Sequence, residues 1–142
     1  MKLFSCFAIL HGLIFVSNLH AEEIAIIVNE TGPLVNLSEI TIRDIYLGEK
    51  KFEGGVRIEA INYPEGPVKD AFFQAVLKMT SREFKLHWTK KLFGEGGELP
   101  LTETDPRDII EAVKKKRGAI GYVMKGELRD SKGVKVIKGV SR

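Results

Sequence analysis

The sequence predicts an α/β domain in which a mixed, mostly parallel sheet is flanked by helices. Apolar runs of strand length recur at Ile24–Val28, Val56–Ile61, Ala119–Val123 and Val134–Ile137, and they are rich in β-branched residues. Between them lie segments of helical periodicity that begin with capping residues. Strands alternating with helices imply βαβ units, which gather successive strands into one largely parallel sheet.

Each element follows from local chemistry. Ile24-Ala25-Ile26-Ile27-Val28 is almost continuously apolar, as a strand covered on both faces should be, and Asn29 to Pro33 breaks it. Ser38 is placed to cap a short helix through Ile42, Ile45 and Tyr46, which Gly48 ends. Lys50 to Gly55 is polar and turn-like, and Val56 to Ile61 then reads as one strand. After Asn62-Tyr63-Pro64-Glu65-Gly66-Pro67 comes a helix with Val68, Phe72, Ala75, Val76 and Met79 on one stripe and Phe73 and Leu77 on a second. A helix apolar on two sides packs between layers. Thr80 and Glu83 have the spacing of a capping box, opening a helix that aligns Phe84, Trp88 and Leu92 as a core stripe. Gly94 to Pro100 is a glycine-rich surface loop, and no Lys-Ser/Thr pair follows it to make a phosphate-cradling P-loop. Asp105 and Pro106 start a helix that ends in Lys114-Lys115-Lys116-Arg117, where the helix dipole favours cations. Ala119-Ile120-Gly121-Tyr122-Val123 and Val134-Lys135-Val136-Ile137 complete the strands, and the glycines around Ile120 allow a backbone or ligand to approach closely.

The 142 residues begin with Lys2, an apolar stretch from Leu3 to Val16, and a small residue, Ala21, before Glu22. That is the pattern of a secretory signal peptide, and the run is shorter than the roughly 20 residues a membrane span needs. Residues 1–21 are therefore read as the signal and residues 22–142 as one domain. Cys6 lies before most of the apolar run, the wrong side for lipidation. The mature part would carry no cysteine and one histidine, His87, which excludes thiol chemistry, disulfides and His- or Cys-based metal sites. His87 itself sits in Lys-Leu-His-Trp as an ordinary helix-face residue, so neither a catalytic group, a metal nor a cofactor is expected. Paired carboxylates are the one enzymatic chemistry that the inventory leaves open. With 21 basic and 19 acidic residues after Ala21, and no basic stripe interleaved with aromatics, nucleic acid is not an expected partner.

Four segments in order carry a resemblance: Ile42-Arg43-Asp44-Ile45-Tyr46-Leu47-Gly48; Ile61 to Gly66 leading into Ala71-Phe72; Trp88 to Gly94; and Gly118-Ala119-Ile120-Gly121-Tyr122-Val123. The chain resembles the phosphate-binding-protein-like group of periplasmic binding proteins, in a short single-lobe form. The resemblance implies a periplasmic, non-enzymatic module that captures an oxyanion at a helix N-terminus and serves a membrane transporter. It places the site at the turn into the helix of Phe72, with Tyr63, Glu65, Gly66, Val68 and Lys69 as ligand-binding residues. Gly121 and Tyr122, with the Gly94–Gly97 loop, are the implied second wall. Where the family carries an arginine, this chain has Tyr63, and Pro67 stands where it carries a hydroxyl residue. Glu65 adds a like charge, and Lys69 and Arg57 are the nearest cations. Weak oxyanion binding, or binding completed by a second copy of the chain, is the resulting expectation. The alternative is an envelope protein–protein interaction module that keeps the fold without the ligand.

The exported protein should begin at Glu22. Mass spectrometry of the periplasmic fraction tests this, and an intact Met1 or stable membrane association would rule it out.

Overall fold

The computed structural model describes residues 22–130 and 132–142; residues 1–21, read from sequence as a signal peptide and including Cys6, lie outside the described residues. A five-stranded sheet has the order β5-β4-β6-β1-β7, formed by β1 (Glu23–Asn29), β4 (Glu59–Asn62), β5 (Leu101–Thr102), β6 (Ala119–Met124) and β7 (Val134–Ser141). β4 runs parallel to both β5 and β6, whereas β1 runs antiparallel to both β6 and β7. The sheet is thus mixed and mostly parallel, with β1 as its one reversed strand.

The near-continuous apolar run of β1 is explained by two covered faces. Ile24, Ile26 and Val28 point into a large core with α1 (Glu39–Tyr46), α2 (Pro67–Phe72) and α3 (Ser81–Gly94). Ala25 and Ile27 face a smaller core with Ile109, Ile110 and Val113 of α4 (Pro106–Lys115). Asn29, buried at the end of β1, donates from Nδ2 to the carbonyls of Val113 and Lys114 at 2.8 and 3.0 Å. These bonds satisfy two orphan acceptors at the end of α4 and tie it to the sheet.

The predicted helix starts hold. The Ser38 hydroxyl accepts from the Thr41 N–H, Thr80 and Glu83 form a reciprocal capping box, and Asp105 caps α4 ahead of Pro106. Four expectations are corrected. Val56 to Ile61 is two pieces: β3 (Val56–Arg57) pairs with β2 (Phe52–Glu53) in a small hairpin, and β4 starts at Glu59. The reason is Gly54-Gly55, both at positive φ, which supply the tight turn that short hairpins favour. The helix after Pro67 does not run regularly to Met79. It changes at Phe73 into a π-helical turn, Phe73–Leu77, and stops at Lys78, whose φ is +57°. The widened turn buries both Phe72 and Phe73, the first against Tyr122 and the second against Phe84. Of the Phe84–Trp88–Leu92 stripe, Phe84 and Trp88 are core and Leu92 is exposed. Finally, the space around Gly121 is taken by the fold itself, since a Cβ there would lie 2.5 Å from Ile109 Cγ2.

Trp88 is buried and its indole N–H donates to the Tyr46 carbonyl at 3.1 Å. Trp88→Ala should destabilise the protein by about 3–5 kcal/mol in chemical denaturation. A nearly silent substitution would mean that this stripe is not core.

Candidate functional site

β4 and β5 end together, with Ile61 opposite Leu101 and Asn62 opposite Thr102. In open α/β sheets the crevice outside the carboxyl ends of parallel strands is where ligands bind. From Asn62 the chain turns into α2. Gly66 adopts φ +140°, a region open to glycine at low cost, and nothing surrounds it closely. Pro67 follows at the first helical position and has no N–H. No side chain caps α2, so the N–H groups of Val68 and Lys69 are the free donors of its first turn.

Lys69 reaches from that turn into a cleft of about 520 Å³. Its side chain is only 8% exposed; Nζ lies 2.5 Å from Glu65 Oε1 and 3.4 Å from Thr102 Oγ1. It also sits 5.4 Å from the ring centre of Phe73. Asn62, 1% exposed, forms part of the same wall. Its Oδ1 accepts from the Tyr122 hydroxyl at 3.0 Å, while Nδ2 is buried with no hydrogen-bond partner among the described residues. Such an unmet donor costs about 1–3 kcal/mol. Arg82 and Lys85 stand at the rim and form no ion pair among the described residues. Three cations against the single carboxylate of Glu65 make this cleft electropositive. Phe73, Phe84, Trp88, Leu92, Leu99 and Pro100 give the wall its apolar part, and Ser81 and Thr89 add hydroxyls.

A second cleft, of about 420 Å³, lies across Trp88, and several of its cations are held in ion pairs. There Arg57 pairs with Glu98 at 2.7 Å, Lys91 with Glu49 at 3.1 Å and Lys116 with Glu59 at 2.9 Å. Arg57 is therefore engaged away from the α2 turn. His87 is a structural group, donating from Nε2 to the Leu47 carbonyl at 2.9 Å.

Of the residues proposed from sequence, Glu65 and Lys69 meet in the electropositive cleft. Gly66 and Val68 shape the helix entry behind it. Tyr63 does not line it: its hydroxyl donates to Glu127 Oε1 at 2.7 Å, and its ring stacks on Tyr122. Gly121 is packed under Ile109. Tyr122 is wholly buried against Phe72 and touches the site only through its bond to Asn62. The glycines of the Gly94–Gly97 loop contribute no wall here, although Leu99 and Pro100 just beyond them do. Sequence reasoning began the candidate turn at Asn62 without giving its side chain a role, and it missed Thr102. A polar residue closing a strand just before a helix was a signal for Asn62. Thr102 had none, because a two-residue strand is recognisable only through its pairing with β4.

No metal-ligating cluster is present among the described residues, and no helix among them is long and apolar enough to cross a membrane. The fold and the site's position together define a single α/β lobe with its cleft at the strand ends. Solved structures share that architecture. An ABC-type phosphate transport receptor from Vibrio cholerae superposes with a TM-score of 0.61 at 18% identity, over 82% of this chain and 46% of its own. A putative phosphate ABC transporter substrate-binding protein with bound phosphate, from Clostridium perfringens, gives 0.62 at 22% identity, over 82% and 44%. PstS from Borrelia burgdorferi gives 0.61 at 15% identity, over 82% and 47%. The chain thus spans just under half the length of these proteins and has the periplasmic-binding-protein-like fold in single-lobe form. No family profile matches the sequence, and no curated relative does.

All three tyrosines beneath the cleft hold their protons unusually firmly. Burial raises the pKa of Tyr46 and Tyr122, and for Tyr63 burial is joined by its bond to Glu127. Their contribution to stability is complete below the ordinary tyrosine value of about 10 and falls above it, as only the unfolded chain ionises freely. Absorbance at 295 nm should therefore show tyrosine ionisation coinciding with unfolding by circular dichroism. Ionisation of all three in a folded protein near pH 10 would contradict this packing.

Proposed function

We propose that this chain is an exported, non-enzymatic binding module that holds a small oxyanion in the cleft at Lys69. The observation that carries the reading is the electropositive cleft itself, placed at the ends of two parallel strands. Its wall holds a buried ammonium 3.4 Å from a hydroxyl, and the Asn62 amide, which has no partner among the described residues, with Val68 and Lys69 N–H groups at the neighbouring helix entry. Helix entries of this kind favour anions through free donors and the helix dipole. The fold neighbours support it too, one of them having been solved with phosphate bound. On this reading the module works in the periplasm with a membrane transporter or another envelope protein, and a second copy of the chain is a natural source of the missing opposite wall.

Affinity for a bare oxyanion is modest. An incoming anion must displace Glu65 from Lys69, and Pro67 removes one donor. Dissociation constants on the order of 0.1 mM or weaker follow, corresponding to about 5 kcal/mol. The second reading, an envelope interaction module without ligand, is favoured by one feature of α3: Phe93 is 91% exposed, with Leu86 also exposed.

Titration with phosphate and sulfate, followed by amide NMR, separates the two. Shifts should concentrate at Gly66, Val68, Lys69 and Thr102, and Glu65→Gln should tighten binding roughly two- to fivefold by removing a competing charge. Silence at these positions up to millimolar anion would hand the case to the interaction reading.

A further inference from the structure

The cleft is much larger than a bare oxyanion needs. Its volume of about 520 Å³ falls in the range of sites for small organic ligands, roughly 300–1,000 Å³. Its wall is also two-sided in character. Lys69, Asn62 and Thr102 adjoin one another, whereas exposed Leu92 and Leu99, with the edges of buried Phe84 and Trp88, supply apolar surface bordered by the polar side chains of α3. Inorganic phosphate would leave that surface wet and unused.

The group now held by Lys69 is informative. It is a carboxylate, that of Glu65, carried on a side chain that is 75% exposed. That ion pair is Glu65's one salt bridge among the described residues. A carboxylate exposed in this way can be displaced into water by a ligand's head group, at a cost that lowers affinity several-fold. In the same wall the Asn62 amide is fixed in orientation, because its oxygen accepts from the Tyr122 hydroxyl, and its nitrogen has no acceptor among the described residues. The polar end therefore offers one cation, one hydroxyl and one amide donor, a set suited to the two oxygens of a carboxylate.

We infer that the cleft takes a small organic carboxylate with an apolar body. Its head replaces the Glu65 carboxylate on Lys69, and its body lies along Trp88 and Leu99. The inference rests on the anion-binding reading of the same cleft and names the ligand's class.

Phenylacetate, acetate and inorganic phosphate are suitable probes, titrated into the purified exported protein at one ionic strength. Trp88, the chain's one tryptophan, is the reporter. Phenylacetate should bind about tenfold or more tightly than either acetate or phosphate, because the ring leaves water, and should change Trp88 emission. Lys69→Met should abolish that binding. Leu99→Ser, at a position 52% exposed and so tolerant of change, should bring phenylacetate towards the acetate value. Glu65→Gln should tighten it several-fold, and it keeps the test decisive even if Lys69→Met fails to fold. Phosphate binding as tightly as phenylacetate, still through Lys69, would overturn the organic ligand and leave the anion reading in place. Phenylacetate binding untouched by a folded Lys69→Met would also overturn it, as mere apolar adsorption. No binding of any probe at about 10 mM would sink both readings.

Discussion

The contact on which the site depends is the stacking of Phe72 on Tyr122, with ring centres 3.7 Å apart and planes within 10°. One ring belongs to α2 and the other to β6, so the stack sets where α2 lies over the sheet. Tyr46 meets Phe72 edge-on at 5.1 Å and donates its hydroxyl to the Ile61 carbonyl at 2.9 Å. Aromatic pairs in such geometries add about 0.5–1.5 kcal/mol beyond the area they bury. Both buried hydroxyls find acceptors, which removes the main cost of placing tyrosine in a core. The Tyr122 hydroxyl ends on Asn62, so the orientation of a cleft residue is inherited from the core.

Two features of α2 then decide what the cleft presents. The π-helical turn after Phe72 lets consecutive phenylalanines point inward, which a regular helix would not do at adjacent positions. Phe73 thereby becomes the floor beneath Lys69. Lys69 is held in the first turn with its stem buried along that ring and its ammonium directed to Glu65 and Thr102. A buried ammonium with no acceptor would be strongly unfavourable, and Glu65 meets that need. Any anion drawn to Lys69 would have to compete with that carboxylate.

Charge alone would not have singled out this cleft. The chain is nearly balanced overall, and the neighbouring cleft carries more basic residues. What differs is pairing. Across Trp88 four of the five lining cations, Lys50, Arg57, Lys91 and Lys116, are each paired with a carboxylate. On the Lys69 side one of three is paired, since Arg82 and Lys85 form no ion pair among the described residues.

The sequence by itself determined the fold class, because its signals are local. The unbroken run of β1, the caps at Ser38, Thr80 and Asp105, and the order of strands and helices are written in neighbouring residues. It also brought Glu65 and Lys69 to attention, since they flank a glycine-proline turn at a helix start. Tertiary structure decided the rest. β5 is two residues long and exists through its ladder with β4, so Thr102 could not be placed from its own neighbours. Gly121 and Tyr122 read locally as a strand open to a ligand, yet α4 and α2 cover them. The reversal of β1 leaves no local mark, because a strand's composition reports its burial and not its direction. Whether a cation is free or paired likewise depends on residues far away in sequence, and that is why the cleft emerged only from the folded chain.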